Sequence, residues 1–312
     1  MIAPYIIGID IGGTKCAVSL ARHSEIVGRW EFPTEEEPRP EAVLRRLAHL
    51  ADAATEHIGV SRQDVIGVGV SCGGPLDPET GTILSPPNLP GWDAVPAKDI
   101  LEQALLLPVK VENDANATAL AEWRLGAGRG CRSMAFLTVG TGIGAGLILD
   151  GKLYRGKRGL AGEIGHATIL PEGPPCLCGK VGCLEALASG SALGRTATAL
   201  FHGRTEGSAS SREVTGREVV EAFHRGDPQA REIVLRSAAY LGIGIANLLH
   251  TLDLERVILG TVAIHAGEEY LEAVRGSVEA HCWPSIWEGV QILPCGLGDR
   301  AQDYAGISLW LE

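Results

Sequence analysis

Positive charge is in short supply in this sequence: 27 Lys and Arg stand against 38 Asp and Glu, a formal net charge of -11. Such a surface repels a phosphate backbone, so general nucleic-acid binding is not expected. A small anionic ligand remains compatible with it, because glycine loops and Mg²⁺ act locally. The opening residues MIAPYIIGID lack the basic segment and long apolar stretch of a secretory signal. No run approaches the roughly 18 apolar residues that a bilayer span needs, so no membrane partner is expected. The eight Cys do not form the pattern of a small secreted disulfide scaffold, since only Cys176, Cys178 and Cys183 cluster. A reducing cytoplasm is the simplest compartment. Aromatics are sparse at 5%, but apolar residues reach 45% and Gly reaches 41 residues. That balance excludes a disordered chain and suits an α/β protein with many tight turns. The 312 residues suffice for two ordinary domains or one large one.

Tyr5–Ile11 is β-branched and apolar, Gly12-Gly13 turns the chain, Cys16–Leu20 returns, and Ile26–Phe32 adds a third strand. Val43, Leu47, Leu50, Ala51 and Ala54 share one helical face. A buried strand follows at Val65–Ser71, a Pro/Gly-rich surface loop at Pro78–Trp92, a helix near Ala97–Leu106 and a strand at Val109–Glu112. The pattern then restarts: Met134–Val139 is a strand, Gly140–Gly146 a glycine turn, and Leu147–Leu149 a returning strand. GIDIGGTKCAV and LTVGTGIGAGLIL therefore read as an internal duplication, one copy per lobe. Val234, Ala238, Leu241, Ile245, Leu248 and Leu252 define a long helix with a core-facing stripe. Val257–Leu259 reads as a strand and Arg300–Leu311 as a closing helix. The basic cluster Lys152, Arg155, Lys157 and Arg158 reads as a solvated hairpin tip.

Phosphate recognition needs several backbone N–H groups aimed at one spot, and bulky side chains would block their approach. Gly12, Gly13, Thr14 and Lys15 supply glycines, a hydroxyl and an ammonium just after a strand. Asp10, two residues earlier, could hold Mg²⁺ through water. Thr138, Gly140, Thr141, Gly142 and Gly144 repeat the glycine and hydroxyl chemistry. Neither turn is a Walker loop or a dinucleotide fingerprint. Either alone is equally a plain hairpin; two of them could grip a triphosphate across a cleft. In VENDANATALAEW a strand runs into a helix, with Asn113 or Asp114 placed to cap it. Asp114 could instead serve as a general base, and Asn113 has the donor and acceptor that a sugar diol needs. His166, Cys176, Cys178 and Cys183 carry the spacing of a tetrahedral zinc shell, with Gly179 and Gly182 letting the chain wrap tightly. A chance cluster of thiols or a disulfide is the competing reading. A filled shell would be structural. It would hold Glu163 and Glu185 as fixed acceptors and leave the second nitrogen of His166 free to donate.

Taken together, GIDIGGTK, ENDANATALAEW, LTVGTGIGAG and GEIGH followed by CLCGKVGCLEALASG resemble the ROK family, whose members include repressors and sugar kinases. The resemblance implies an actin-like ATPase fold with two ribonuclease-H-like lobes. These would be residues 1–114 plus about 298–312, and residues 115–297, with a cleft between them. It implies Asp114 as catalytic base, with Gly74, Asn88, Asn113, Glu163, His166 and Glu185 on a sugar. ATP phosphates would lie against Gly12–Lys15 and Gly140–Gly142, with Mg²⁺ near Asp10, structural Zn²⁺ in the His-Cys cluster, and a homodimer as the assembly. Two departures stand out: Gly73 where the family usually has Pro, and Thr261-Val262 where it usually has glycines beside the adenosine. The expected function is transfer from MgATP to the 6-hydroxyl of a hexose, glucose first, with N-acetylglucosamine or N-acetylmannosamine as alternatives. Polyphosphate is a further candidate donor. A non-catalytic sugar sensor and a zinc hydrolase are the competing classes. With the phosphate strand starting within a few residues of Met1, a repressor's helix-turn-helix is not expected.

Overall fold

The structure, a computed structural model, describes residues 4–37, 39–202 and 213–311. Strands β1 (Tyr5–Ile11), β2 (Lys15–Arg22) and β3 (Glu25–Pro33) form an antiparallel meander. Helix α1 (Pro40–Ile58) then leads to β4 (Val65–Cys72), which pairs parallel with β1. A small antiparallel sheet of β5 (Leu76–Asp77), β6 (Thr82–Ile83) and β7 (Val95–Pro96) follows. Only β6 falls within the segment 78–92 expected to be a surface loop; the rest of it is turns and irregular chain, but Ile83, Leu89 and Trp92 are buried there. Helix α2 (Ala97–Leu105) returns the chain to β8 (Val109–Asn113), completing the order β3-β2-β1-β4-β8. Burial alternates along most of β3, as one-sided covering of an edge strand produces. Only Tyr5 and Asp10 of β1 are less than fully buried, because helices cover both of its faces.

Helix α3 (Asp114–Leu125) carries the chain to β9 (Met134–Val139), β10 (Ile143–Leu149) and β11 (Lys152–Leu153). Next come α4 (Leu184–Ala188), α5 (Gly190–His202), α6 (Gly216–His224) and α7 (Pro228–Leu252). After β12 (Arg256–Leu259), helices α8 (Val262–Ala266), α9 (Glu268–His281) and α10 (Pro284–Trp287) precede β13 (Gln291–Pro294) and α11 (Ala301–Ser308). The second sheet has the order β11-β10-β9-β12-β13. In each sheet an antiparallel meander is extended by two parallel strands on the side of its first strand. The internal duplication read from the two glycine turns is therefore real at the level of topology.

The period-2 rule sorts the second sheet's side chains. Ala135, Leu137 and Val139 face a core shared with α7 and α9, while Met134 and Phe136 face α3 and α11. Helix α7 is, by length and composition, apolar enough to cross a membrane, contrary to the reading of the bare sequence. Most of that stretch is buried inside the protein, as in a core helix. Asp227 caps it, accepting from the N–H groups of Gln229 and Ala230.

Helices α3 and α11 lie between the sheets and pack closely on glycines. A Cβ on Gly69 of β4 would collide with the Gly306 carbonyl of α11, and one on Gly146 of β10 would collide with the Ala115 carbonyl of α3. Near the end of α3 the buried Glu122 accepts from the N–H groups of Ala127 (2.8 Å), Gly296 (3.1 Å) and Leu297 (2.8 Å), and from the Cys295 thiol (2.9 Å). One carboxylate thus ties the end of α3 to the segment that leads into α11, so both chain crossings between the sheets share an anchor. Glu122→Ala orphans several buried donors at once and is expected to cost about 3–5 kcal/mol. Urea unfolding measures this, and a loss under about 1 kcal/mol would contradict the anchoring role.

Candidate functional site

At the end of β8 the chain turns into α3. Asn113 takes the cap: its Oδ1 accepts from the N–H groups of Ala115 (3.0 Å) and Asn116 (3.2 Å). The choice that the sequence left open is settled in favour of Asn113. Asp114 Oδ1 accepts a local bond from the Ala115 N–H, at 2.8 Å. Burial raises the Asp114 carboxyl above the ordinary aspartate range, against the opposing pull of the Ala115 N–H and the Asn113 amide. A raised carboxyl is a stronger proton acceptor once ionised.

Beneath this turn Glu112 is buried. Its Oε1 accepts from the Asn113 N–H (3.0 Å) and the Asn116 amide (3.0 Å), and its Oε2 pairs with Arg155 Nε at 2.7 Å. Arg155 comes from the loop after β11, so it reaches across from the second sheet to the first. The basic cluster is exposed, as the hairpin-tip reading expected, but Arg155 within it is paired rather than only solvated.

The two glycine turns are both three-residue loops between antiparallel strands, 12–14 and 140–142. In the first, the Gly12 N–H donates to the Lys15 carbonyl (3.1 Å), Thr34 Oγ1 donates to the Gly12 carbonyl (2.7 Å), and the Thr34 N–H donates to the Thr14 carbonyl (3.0 Å). Lys15 pairs with Glu31 at 3.1 Å, while Arg29 bridges Glu31 (2.7 Å) and Asp303 of α11 (2.6 Å). Burial, then the charges of Asp114 and Asp303, push Asp10 up to about 7, with Lys15 and Arg29 opposing. Among the described residues only the His-Cys cluster gathers three or more metal-ligand atoms within 4.8 Å. The carboxylates around Asp10 therefore form no closed cage. Mg²⁺ does not need one, since it keeps most of its waters and takes one or two carboxylates with substrate phosphates.

In the second turn the Gly140 N–H donates to the Gly142 carbonyl (3.0 Å) and the Gly190 N–H to the Gly140 carbonyl (2.7 Å). Thr138 stands on β9 opposite Gly144. Gly140 and Thr141 border a cavity of about 1030 Å³, whose other walls include Gly190, Arg195, Gly216 and Thr261.

The His-Cys segment is held by bridges between Thr168 and Cys183 and between Pro175 and Val181, with Gly179 and Gly182 at positive φ. The Sγ atoms of Cys178 and Cys183 lie 3.7 Å apart, and Cys176 Sγ lies 3.7 Å from His166 Nδ1. Metal–sulfur bonds of about 2.3 Å put tetrahedral sulfurs about 3.8 Å apart, whereas a disulfide needs about 2.05 Å. All of these thiols are free, and three sulfurs with one imidazole suit zinc. With Nδ1 turned to sulfur, His166 Nε2 faces Glu163 at 3.9 Å. Burial raises the Glu163 carboxyl, opposed by His166 and reinforced by Glu185 and Asp114.

The first turn meets the sugar-side residues through Gly13, where a Cβ would collide with the Asn88 carbonyl. Gly73 faces the Asn88 amide and Gly74 faces Asn113, so these residues are brought together. The second turn meets the cluster through Glu185: its Oε2 accepts from the Ile143 N–H (2.9 Å), and its Oε1 lies 4.0 Å from Cys176 Sγ. Half of that carboxylate is therefore engaged by the turn itself. Arg29, Asp303 and Glu112 escaped the sequence reading, and Arg155 entered it only as part of a solvated basic cluster. Each acts through a partner distant in the chain, so no local spacing announces it.

A family model described as the ROK family matches residues 6–311. A glucokinase of Halalkalibacterium halodurans is 36% identical over 307 residues, 95% of this chain and 92% of its own length. An N-acetylmannosamine kinase of Vibrio cholerae is 35% identical over 283 residues, 90% of this chain and 91% of its own. The ROK hexokinase of Thermus thermophilus shares the fold with a TM-score of 0.83 at 41% identity, covering 97% of both chains. A ROK family glucokinase from Streptomyces griseus, solved with glucose and AMPPNP, has a TM-score of 0.79 at 35% identity, covering 98% of both.

Proposed function

This chain belongs to the ROK family and is a sugar kinase of actin-like ATPase fold, and we propose that it transfers the terminal phosphoryl group of MgATP to the 6-hydroxyl of glucose. One observation carries the reading. Asn113 does the capping, which leaves the partly buried Asp114 carboxylate out of the cap and close enough to Asp10 and Glu163 for its charge to act on both. Asp114 accepts the proton of the attacking hydroxyl. Asn88, Asn113, Glu163 and the Nε2 of His166 hold the other hydroxyls, with the remaining oxygen of Glu185 beside them. N–H groups of the turns at 12–14 and 140–142 meet the phosphates, and the base lies in the cavity behind Gly140 and Thr141. Asp10 would hold Mg²⁺ through water, and the ion would supply neutralisation of phosphate charge. Zinc in the His-Cys shell would be structural, since four protein donors leave no open position.

The glucose and AMPPNP of the Streptomyces griseus relative support the choice of both ligands. The Vibrio cholerae relative makes N-acetylmannosamine the alternative acceptor. We assign residues 1–114 with about 298–312 to one lobe and 115–297 to the other. The sheets support this, the first lying within residues 5–113 and the second within 134–294. Free thiols at all eight cysteines support a reducing cytoplasm, and the homodimer belongs to the same proposal.

A coupled ADP-release panel over hexoses and N-acetylhexosamines tests the acceptor. We expect kcat/KM for glucose to exceed that of any N-acetylhexosamine by about tenfold or more, the equivalent of about 1.4 kcal/mol in the transition state. A higher value for N-acetylmannosamine or N-acetylglucosamine would move the assignment there. Silence with every sugar would end the kinase reading, unless polyphosphate restored turnover and replaced ATP as donor.

A further inference from the structure

Thr261 sits in a conformation that its side chain disfavours. Seven non-glycine residues among those described have positive φ, and Thr261 alone of them is β-branched. Its φ of 51° is combined with a ψ of -100°, far from the left-handed well in which Leu106 (ψ 37°) and Asp253 (ψ 61°) rest. Branching at Cβ makes such a backbone costly, and residues kept in it are held by their surroundings. Here the surroundings are visible. Gly260 N–H donates to the Leu137 carbonyl at 2.9 Å, and the Thr261 carbonyl accepts from the N–H groups of Ile264 (3.0 Å) and His265 (3.1 Å).

The side chain adds a second oddity. Thr261 occupies the cap position of α8, where a threonine hydroxyl ordinarily turns back onto its own helix, yet it makes no such bond. Both Oγ1 and Cγ2 instead stand over the second glycine turn, 3.8 Å from where a Cβ of Gly140 would lie. The same residue lines the cavity of about 1030 Å³ beside Gly140, Thr141 and Gly190. A strained backbone thus delivers an exposed hydroxyl to the mouth of the cavity, next to the turn that would hold phosphate.

We propose that Thr261 is a specificity-determining residue for the phosphoryl donor, its hydroxyl donating to a non-bridging phosphate oxygen between the second turn and the cavity. This rests on the reading of that cavity as the nucleotide site. A hydroxyl on a phosphate oxygen is a hydrogen bond to a charged group, and its loss corresponds to about tenfold in affinity. The branched methyl group is not needed for that contact, but its crowding contributes to the backbone strain.

The test uses the full-length protein, with MgADP binding measured by calorimetry, KM for ATP and for sugar, and thermal melting. Thr261→Val keeps shape and strain but removes the hydroxyl, and should weaken MgADP binding and raise KM for ATP by about tenfold, with KM for sugar and melting temperature unchanged. Thr261→Ser should bind as the wild type does. Thr261→Gly should melt higher, because the strain is gone, and should bind as weakly as the valine variant. Equal MgADP binding by wild type and Thr261→Val would overturn the assignment of Thr261 alone. Failure of the wild type to bind MgADP at all would overturn the nucleotide reading of the cavity, and Thr261 with it.

Discussion

Asp114→Asn is expected to lower kcat by about 10³-fold while leaving KM for the sugar within about threefold. The amide has the size of the carboxylate and can still accept from the Ala115 N–H, so the start of α3 keeps its geometry. The amide lacks a basic oxygen that can take the hydroxyl proton as the new O–P bond forms. The pH profile gives an independent readout. Burial holds the Asp114 carboxyl above the ordinary aspartate range, and only its ionised form accepts a proton. The kcat/KM of the wild type should therefore fall on the acid side at a pH above that expected for an exposed aspartate, and rise as the pH is raised through that limb.

The sign for stability is opposite. A carboxyl whose folded value is raised binds its proton more tightly in the folded state, so its contribution is present at low pH and is lost as pH rises through the raised value. Above that value ionised Asp114 costs stability, and there Asp114→Asn should melt no lower than the wild type. Turnover near the wild-type rate would remove Asp114 from the chemistry. Lost turnover accompanied by a lowered melting temperature would point to damage rather than to a missing base.

What could be read from the sequence had a short-range signature. The two glycine turns, each flanked by apolar strands, announced a duplicated unit, and the repeated strand order is its consequence. The stripe from Val234 to Leu252 announced α7, because a helix that buries one face must space its apolar residues. The closing helix was legible as an element, though α11 spans only Ala301–Ser308 rather than reaching Leu311. The Pro/Gly-rich stretch from Pro78 to Trp92 is mostly the loop its composition announced, yet parts of it are not at the surface. Its prolines and glycines do mark turns, but Ile83, Leu89 and Trp92 between them are buried. Contacts across the molecule left no trace in local pattern. Arg155 on Glu112, Asp303 on Arg29 and Glu122 on Leu297 join segments brought together only by the stacking of the two sheets against α3 and α11. In the site itself, spacing could nominate Asn113 and Asp114 together. Only the geometry of the turn could assign the cap to Asn113 and leave Asp114 for the proposed role in the chemistry.

Loss of the proposed zinc is expected to abolish at least 99% of turnover, about a hundredfold, without unfolding the sheets. The reason lies in what hangs on the His-Cys segment. Cys183 is the residue before α4, and Glu185, two positions on, holds the Ile143 N–H at the rim of the second turn. His166 presents its far nitrogen toward Glu163 only while its near nitrogen is turned to the sulfurs. Releasing the four donors frees both attachments, so KM for sugar and KM for nucleotide should rise together. Asp114, anchored by β8 and α3, stays in place. Cys178→Ser and Cys183→Ser should each purify with well under one equivalent of zinc and show this double rise, and chelation of the wild type should reproduce it. Cys178 and Cys183 are near enough to oxidise once the metal leaves, so activity should return with zinc only after reduction. Protein shown by elemental analysis to be metal-free, yet retaining wild-type KM values and rate, would show that the four side chains need no metal to hold Glu185 and His166 in place.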